Sequence, residues 1–473
     1  MCGATPTMPP VTTPTVSLRA TPAGRPLRVA LAGLGTVGGE VARAMVSDPD
    51  HLARGAGGRR LELAVVAEPD PSRPRGLDLA GVERIADATE LPGRDDIDIV
   101  VELIGGLEAA GRLVDGALRA GRAVVTANKA LLARRGPELE AAARECGAAL
   151  RFEAAVGGGI PVLAPLAGDL AANRIRRVRG IVNGSTNFVL TAMTTGGGEY
   201  DDVVAEAREL GYLEADPSAD VEGRDAADKV VLLARLAYGG WVDVSAVRRA
   251  PAALSGDGRP GITGVTASEI AGAARLGLVM KLIGFAERAM SADSGAGGSS
   301  DASSDAGGIL AGVGSSAGGI LAGVVPAAVA SSSTLGTTNG VTNIVEVVAE
   351  PVGRVSFVGP GAGGTATSSA VLGDLLAIAR GAGSTWGGLP PAGRAALAGD
   401  VLDGERRWFI SVPGSLGRPL RERLVEAEIT ETAVAGSFGL AVLTAVTSLA
   451  ALRRALRGAG APETTVIYPV VED

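Results

Sequence analysis

Histidine and lysine are almost absent from this sequence of 473 residues, and both scarcities limit which residues could act in catalysis or bind a metal. His51 is the only histidine and stands in a polar, glycine-rich loop region, so a histidine base or a metal site with several histidines is nearly excluded. Lysine occurs only as Lys129, Lys229 and Lys281, so almost all of the 44 basic residues are arginine. Arginine stays protonated in proteins, whereas a lysine can donate and accept a proton. The three lysines are therefore candidates for catalysis, although genomic base composition explains the excess of arginine. Lys281 stands in an apolar stretch that predicts a helix, and the sequence assigns it no role.

Cysteine pairs, membrane-length apolar runs and excess positive charge are also missing. Cys2 and Cys146 lie in unrelated segments, so no disulfide is expected and a reducing, cytoplasmic location is favoured. No apolar run approaches the ~20 residues that cross a membrane. The net charge of −8 disfavours nucleic acid and anionic membranes as partners. Residues 1–25 are rich in proline and threonine and predict a disordered tail rather than a targeting signal.

A dinucleotide-binding pattern stands near the start of the chain. The apolar strand predicted at Leu27–Ala32 leads directly into Gly33-Leu34-Gly35-Thr36-Val37-Gly38 and then into a predicted helix. Gly33 would make the tight turn, Gly35 would let the backbone approach a pyrophosphate, and Gly38 would allow close packing of helix on strand. Glycine is abundant in this sequence, so a chance glycine-rich turn is the alternative. Strands and helices alternate up to residue 150, which favours a doubly wound parallel sheet.

The residues after the second strand leave the choice of dinucleotide open. Glu68 ends the strand predicted at Leu61–Val66 and could bind the ribose hydroxyls of NAD. Arg73 and Arg75 follow, and either could instead bind the 2′-phosphate of NADP.

Two lysines stand beside features that suggest a reaction. Lys129 follows the fourth strand at the sheet edge where α/β proteins bind ligands, although it could be a plain surface lysine. Asp225 and Lys229 are spaced i, i+4 on a predicted helix, which usually indicates a surface ion pair. The apolar run after Lys229 instead favours a partly buried pair that could deliver a proton while a hydride moves. The helix follows an acidic loop, and acids at helix starts are also favoured by the helix dipole.

The second half of the chain contains an insertion and a small terminal pattern. Residues 291–333 are mostly glycine, alanine and serine and predict an expanded flexible loop that contains GGILAGV twice. Residues 405–473 predict strand, helix, strand, strand, helix and strand, which is the ferredoxin-like order and suggests a small separate domain. The predicted elements are Trp408–Val412, Leu420–Glu428, Ile429–Ala435, Leu440–Thr447, Leu449–Arg457 and Thr464–Val471.

Several blocks, taken in order, resemble homoserine dehydrogenase. Single blocks are weak signals, but the ordered set is specific, covers about Arg28 to Arg288 and resumes at Gly359–Gly364. The blocks are Gly33–Gly38, Glu102–Gly106, Thr126–Lys129, Glu153–Pro161, Asn183–Asn187 and Leu210 through Lys229.

The resemblance implies an activity and an architecture. It implies NAD(P)-dependent interconversion of L-homoserine and L-aspartate 4-semialdehyde, in threonine, methionine and isoleucine biosynthesis, by a homodimer or homotetramer. The implied α/β fold has a Rossmann-type NAD(P)-binding domain over residues 26–150 and an α+β catalytic and dimerisation domain over residues 151–398. A ferredoxin-like, ACT-like regulatory domain would follow over residues 405–473. Its usual Asp-x-Pro-Gly turn appears only as Val412-Pro413-Gly414, so threonine binding is a hypothesis.

The resemblance also assigns roles to residues. Lys229 would exchange the proton at the substrate oxygen with help from Asp225, and Lys129 would lie near nicotinamide and substrate. The residues that would bind the amino-acid substrate are Glu214, Asp220 and Asp225. The residues that would bind the cofactor are Gly33, Gly35, Thr36, Val37, Gly38, Ile104, Gly105, Lys129, Gly211 and Gly361. A sodium-like monovalent cation would be held, mostly by main-chain carbonyls and by a single carboxylate, at Glu153, Val156, Gly158 and Ile160.

Two other functions remain open at this point. A dehydrogenase of another small amino acid or semialdehyde would keep the dinucleotide motif but change the acidic loop between Glu214 and Lys229. A catalytically inactive nucleotide-binding regulator would be expected to have lost Lys129, Asp225 or Lys229, and all three are present.

Overall fold

The computed structural model describes residues 25–73, 75–289, 319–412, 417–426 and 429–472. Almost all of the predicted tail, the larger part of the predicted insertion and the Pro413-Gly414 turn lie outside the described residues. The chain divides into two compact units. Unit 1 contains residues 1–126, 138–151 and 372–385, and unit 2 contains residues 127–137, 152–371 and 386–473.

Unit 1 is built around a parallel sheet. Its strands lie in the order β3-β2-β1-β4-β5-β6, and every neighbouring pair is parallel. The central strands are continuous apolar runs because helices cover such a sheet on both faces. The predicted Rossmann-like sheet is therefore confirmed. The elements are β1 (Leu27–Ala32), α1 (Thr36–Ser47), α2 (Pro49–Gly55), β2 (Leu61–Ala67), β3 (Glu83–Ile85), β4 (Ile99–Glu102), α3 (Glu108–Arg119), β5 (Ala123–Thr126), α4 (Lys129–Glu145, which begins in unit 2) and β6 (Leu150–Arg151).

Unit 2 contains a long mixed sheet. Its first elements are α5 (Leu163–Ala167), β7 (Arg174–Ile181), α6 (Gly184–Gly196), α7 (Tyr200–Glu209), α8 (Ser218–Val221), α9 (Arg224–Tyr238), β8 (Ala252–Ala253), β9 (Gly256–Asp257), α10 (Ala267–Arg275), β10 (Leu278–Arg288) and β11 (Ile320–Ala330). They continue with α11 (Thr334–Thr337), β12 (Thr342–Glu350), β13 (Gly353–Pro360), α12 (Gly364–Ala379, which ends in unit 1), β14 (Glu405–Arg406), β15 (Trp408–Val412), α13 (Gly417–Glu426), β16 (Thr430–Gly436), β17 (Gly439–Thr444), β18 (Thr447–Ser448), α14 (Leu449–Gly458) and β19 (Val466–Val471). The strands follow the order β13-β12-β7-β10-β11-β19-β15-β17-β16.

The C-terminal elements appear in the predicted order, but they do not form a separate domain. Strands β19, β15, β17 and β16 are neighbours in that order. However, β19 also pairs in parallel with β11 through Ala328 and Val329, so the C-terminal strands extend the mixed sheet. Buried side chains from both parts, such as Val329 and Ile467, share one hydrophobic core. The prediction of a small separate domain was wrong because strand pairing over a long sequence separation is not visible in a local pattern.

Three local predictions are corrected by the described residues. The predicted flexible loop over residues 291–333 was wrong in its last part, because residues 320–330 form β11 and pair with β10 along its whole length. Small side chains in β11 fit where the strand is covered closely: a Cβ at Gly323 would lie 2.5 Å from the Val401 side chain. His51 lies in α2 rather than in a loop. Lys281, expected in a helix-like stretch, lies in β10.

In the part of the chain that the structure describes, no helix is both long and apolar enough to cross a membrane.

Lys281 is the centre of a buried polar cluster. Lys281 is only 2% exposed. Its Nζ donates to Asn187 Oδ1 at 3.0 Å, to the Thr338 carbonyl at 2.7 Å and to Asn339 Oδ1 at 3.0 Å. The ammonium therefore joins β10 to α6 and to the turn before β12. All three acceptors are uncharged, and burial lowers the pKa of Lys281 to about 8.

The substitution Lys281→Met tests whether folding lowers the pKa of Lys281, because a lowered pKa makes the stability of the protein depend on pH. The pKa of Lys281 is about 8 in the folded chain and near the ordinary 10.5 in the unfolded chain, so the unfolded chain binds more protons between these values. The free energy of unfolding of the unmodified protein should therefore rise with pH over this interval, relative to the variant. Urea unfolding below, within and above the interval measures the difference. A difference that stays constant with pH would contradict the expectation.

Candidate active site

Helix α9 carries a buried lysine–aspartate pair. The Lys229 Nζ lies 2.7 Å from Asp225 Oδ2, and the two side chains are only 10% and 12% exposed. The same ammonium donates to the main-chain carbonyl of Val182 at 2.6 Å. The i, i+4 spacing therefore marks an internal pair and not the surface ion pair that such spacing usually indicates.

A second lysine binds the same carboxylate. Lys129 is the first residue of α4, and its Nζ lies 3.1 Å from Asp225 Oδ1. Its side chain is 37% exposed, whereas the Asp225 side chain that it contacts is 12% exposed. The pairing of Lys129 with a buried aspartate favours a role in the cluster over that of a plain surface lysine.

Asn183 organises the acidic side of this cluster. Its Nδ2 donates to Asp220 Oδ1 at 2.7 Å and to Asp225 Oδ2 at 2.9 Å. Its Oδ1 accepts from the N–H of Thr186 at 2.9 Å and caps α6. In the sequence, Asn183 stands out only as part of a motif. A helix cap could have been inferred from an asparagine before a helix, but the bridge between two distant aspartates could not.

The charges of the cluster are set by burial and by ion pairing. Burial alone would raise the pKa of Asp225, but the ammonium groups of Lys229 and Lys129 outweigh it and hold the pKa well below its usual range. Attraction to Asp225 in turn raises the pKa of Lys129 against the effect of burial. Asp225 therefore stays ionised and keeps Lys129 protonated near neutral pH.

The other predicted substrate-binding acids differ in their surroundings. Burial raises the pKa of Asp220, although the amide of Asn183 opposes this by donating to the carboxylate. Glu214 is exposed, and its carboxylate has no ion-pair or hydrogen-bond partner among the described residues. Asp228 points to a structural role instead, because Arg134 donates to it at 2.9 Å. The structure thus brings Asp220 and Asp225 together through Asn183, and among the described residues no hydrogen bond or ion pair joins Glu214 to them.

The glycine motif of unit 1 has the predicted local geometry. Gly33 has φ +97°, and a Cβ there would lie 2.6 Å from the Leu103 carbonyl oxygen. A Cβ at Gly38 would lie 1.9 Å from the Gly33 carbonyl oxygen. Gly35 precedes α1 and offers no capping side chain, and the space beside it is open. Thr36 and Val37 form the first turn of α1. This cradle fits a pyrophosphate at a helix N-terminus.

A buried glutamate shapes the loop after β4. The Glu102 Oε1 accepts from the N–H groups of Ile104 and Gly105, both at 3.0 Å. Thr126, at the end of β5, donates to the other carboxylate oxygen. Glu102 therefore holds Ile104 and Gly105, two predicted cofactor-binding residues, at the carboxyl edge of the parallel sheet.

Glu68 is paired with two arginines. Its side chain is 1% exposed, and its carboxylate binds the guanidinium groups of Arg75 and Arg84, with Arg84 Nη2 at 2.6 Å. Arg84 also donates to the main-chain carbonyl of Arg73 at 2.9 Å. Glu68, Arg73 and Arg75 are the candidates that the sequence suggests for the ribose site. Arg84 was missed, because it comes from β3 and is brought beside Glu68 by sheet pairing.

The remaining predicted residues lie in unit 2. Gly211 has φ +77° and is exposed after α7. Gly361 follows β13, and a Cβ there would lie 2.0 Å from the Asn343 amide nitrogen, so the position requires glycine. Gly158 has φ +58°, and a Cβ there would lie 2.6 Å from the main chain of Gly361.

The carboxylate of the predicted cation site has another role. Glu153 is 7% exposed, and its carboxylate accepts from the N–H groups of Val162, Leu163 and Ala164 at 2.7–2.8 Å. It thereby caps α5. The expectation of one carboxylate ligand is therefore corrected: a cation at Glu153, Val156, Gly158 and Ile160 would depend on main-chain carbonyl oxygens. Among the residues described, no group of three or more acidic, histidine or cysteine side chains could hold a metal ion.

Family models match both parts of the chain. The model described as homoserine dehydrogenase matches residues 161–376. The model described as homoserine dehydrogenase, NAD binding domain, matches residues 33–153.

Individual proteins show the same similarity. The chain is 41% identical to a homoserine dehydrogenase of Corynebacterium glutamicum over 357 residues, which are 76% of this chain and 73% of that protein. The homoserine dehydrogenase of Bacillus subtilis is 36% identical over 74% of this chain and 72% of its own length. The crystal structure of a homoserine dehydrogenase from Thiobacillus denitrificans has a TM-score of 0.79 and 29% identity, covering 95% of this chain and 99% of that one. A hyperthermophilic archaeal homoserine dehydrogenase in complex with NADPH has a TM-score of 0.55 and 25% identity, covering 75% and 97%.

The glycine cradle is tested by Gly38→Ala. The added methyl group would overlap the Gly33 carbonyl, so the turn must shift, at a cost of about 1–3 kcal/mol. We expect NADPH to bind about tenfold more weakly or worse. Gly39→Ala is the matched control, because nothing lies within 4 Å of a Cβ there. NADPH fluorescence titration measures both variants, and equal affinities would contradict the assignment.

Proposed function

This chain belongs to the homoserine dehydrogenase family, and we propose that Lys229 exchanges the proton when it interconverts L-homoserine and L-aspartate 4-semialdehyde. The observation that carries this proposal is the anchoring of one ammonium by two acceptors. An ammonium has three N–H donors. Val182 and Asp225 accept two of them, so the third is available to a substrate oxygen.

The proton and the hydride have separate sources. NAD(P)H, when bound, supplies the hydride to the aldehyde carbon. Lys229 donates a proton to the aldehyde oxygen, and in the reverse direction it accepts the proton of the homoserine hydroxyl. Asp225 holds the ammonium in position and stays ionised. Lys129, bound to the other oxygen of Asp225, adds positive charge where negative charge develops on the substrate oxygen.

Carboxylates would recognise the amino group of the substrate. Asp220 and Asp225 are held side by side by Asn183, and Glu214 has an unpaired, exposed carboxylate among the described residues. An α-ammonium group pairs well with such acids. We assign substrate binding to these three residues. A dehydrogenase of a semialdehyde without an amino group would use the same proton donor but would not need these acids. Their presence therefore favours an amino-acid substrate.

Lys229 variants test the proton transfer. Lys229→Ala should lower kcat by about 10²–10⁴-fold because the proton donor is lost. Lys229→Arg should be nearly as slow, since its guanidinium keeps the charge but does not release a proton. Both should still bind NADPH. Steady-state oxidation of NADPH with L-aspartate 4-semialdehyde measures turnover.

The control removes a carboxylate from the same acidic segment. The Glu222 carboxylate pairs only with Arg224 among the described residues, at 3.2 Å, so Glu222→Gln should leave kcat near that of the unmodified enzyme. Near-normal turnover of Lys229→Ala would refute the assignment.

We further infer that NADP is the preferred cofactor. The Glu68 carboxylate is engaged by Arg75 and Arg84, so it is poorly available to a ribose diol. The side chains of Arg75 and Arg84 are 23% and 27% exposed, and the three groups together carry one net positive charge. A 2′-phosphate suits such a site better than two hydroxyl groups do.

Arg75→Gln tests the cofactor preference. The ratio of kcat/KM for NADPH over NADH should fall by about tenfold, because a charge-assisted contact to the 2′-phosphate is lost. Arg60→Gln is the control, since Arg60 is exposed and pairs with Asp50 at the surface. An unchanged ratio in Arg75→Gln would contradict the proposal.

Two further proposals concern regulation and ion binding. The strand order of β19, β15, β17 and β16 supports an ACT-like regulatory region, for which threonine is the candidate effector. The left-handed glycine at Gly158 supports a main-chain site for a sodium-like ion, formed by the carbonyls of Glu153, Val156, Gly158 and Ile160. Self-association stays a prediction.

A further inference from the structure

A large cavity lies in unit 2, outside the cluster around Lys229. Its volume is about 590 Å³. One wall is formed by β7 and β10, and the other by the start of the C-terminal strands and by the end of β19. Its lining contains charged residues of both signs, five arginines and four acids: Arg177, Arg179, Arg288, Arg406, Arg407, Glu287, Asp403, Glu405 and Glu472.

Most of these arginines have carboxylate partners. Arg177 pairs with Glu287 at 3.0 Å, and Arg179 pairs with Glu346 at 2.9 Å. Arg407 pairs with Glu431. In each of these pairs the positive charge of the arginine is neutralised by a carboxylate, so the pairs add no net positive charge to the cavity.

Arg406 is partly buried, and no carboxylate among the described residues pairs with it. Its Nη2 donates to the main-chain carbonyl of Asp403 at 3.0 Å, and its guanidinium lies 5.7 Å from the centre of the Trp408 ring. Its Nε is buried and has no hydrogen-bond partner among the described residues. The Nε of Arg407 is in the same condition. Burial lowers the pKa of Arg406, although attraction to Glu287, Asp400 and Asp403 opposes this effect.

An incompletely paired, partly buried guanidinium is costly unless an anion completes it. The planar fork of arginine fits a carboxylate or a phosphate with two parallel hydrogen bonds. We propose that this cavity binds a small molecule that carries a phosphate or carboxylate group, with Arg406 as the main contact and Arg407 beside it.

The position of the cavity distinguishes it from the sites proposed above. It lies at the Trp408 end of β15, since Trp408 pairs with Pro469 near the end of β19. The sequence Val412-Pro413-Gly414, which stands where the ACT-like motif is expected, begins at the last residue of β15, at the other end of this strand. Arg177 and Arg179 lie in β7, which ends at Ile181, and the carbonyl of the next residue, Val182, accepts from Lys229. A ligand here would therefore join the C-terminal strands to the strand behind the proton donor.

The experiment titrates inorganic phosphate and malonate separately into the full-length protein. Saturating NADP⁺ is present, so that the dinucleotide site does not contribute. Isothermal titration calorimetry gives Kd, and thermal unfolding gives Tm with and without each anion. The variant is Arg406→Gln. The control is Arg275→Gln, which removes the same charge from an exposed position at the end of α10.

We expect phosphate or malonate to bind the unmodified protein and Arg275→Gln, and to raise Tm in both. Arg406→Gln should weaken the Kd by about tenfold or more, the loss expected for a charged hydrogen bond. Without anion, its Tm should equal or exceed that of the unmodified protein, because a poorly paired charge has been removed. Binding of only one of the two anions would support the site and identify the group it takes.

Three results would overturn the proposal. They are equal anion affinity in Arg406→Gln and the unmodified protein, no saturable binding of either anion at millimolar concentration, and a lower Tm for Arg406→Gln when no anion is present. The last would show that Arg406 stabilises the fold itself. None of these results bears on turnover, so the proposed reaction is tested separately.

Discussion

The ionised carboxylate of Asp225 is the group on which the proposed active site depends. It is buried, so its charge must be compensated, and it accepts from Lys229, from Lys129 and from the amide of Asn183. These donors come from α9, from the start of α4 and from the residue before α6. The three contacts hold α9, the start of α4 and the start of α6 around one carboxylate. The position of the Lys229 ammonium therefore depends on its ion pair with Asp225.

Buried acids elsewhere in the chain follow the same physical rule with a different outcome. Glu102 and Glu153 are compensated by main-chain N–H groups, and Glu68 by two guanidinium groups. Each of these residues could be interpreted from sequence as a ligand-binding acid. Their contacts show that Glu102 and Glu153 shape the loop or helix beside a site. A buried acid near a glycine-rich turn can thus have its carboxylate occupied by donors of the chain itself, as in Glu102 and Glu153.

Local pattern sufficed for the parallel sheet of unit 1, because buried strands, a glycine motif and alternating helices leave a signal within short windows. It also sufficed for the order of the C-terminal elements. It failed where long-range pairing decides the outcome: the many small residues of β11 predict a loop, yet this segment forms a central strand between β10 and β19. The cluster at Asp225 could be predicted in part, since the i, i+4 pair is local. Asn183, Arg84 and the partners of Lys281 are brought in by the fold and have no local signal of that role.

The pairing of β19 with β11 has a consequence for how this chain can be divided. A regulatory region joined only by a linker can be removed or exchanged with little effect on its neighbour. Here, loss of β19 would uncover the edge of β11 at Ala328 and Val329, in the middle of a sheet that also supports the proposed catalytic residues. An uncovered apolar strand edge invites pairing with other chains. The C-terminal strands are therefore an integral part of the sheet of unit 2. A truncation or domain exchange at residue 405 would expose a strand edge and favour aggregation.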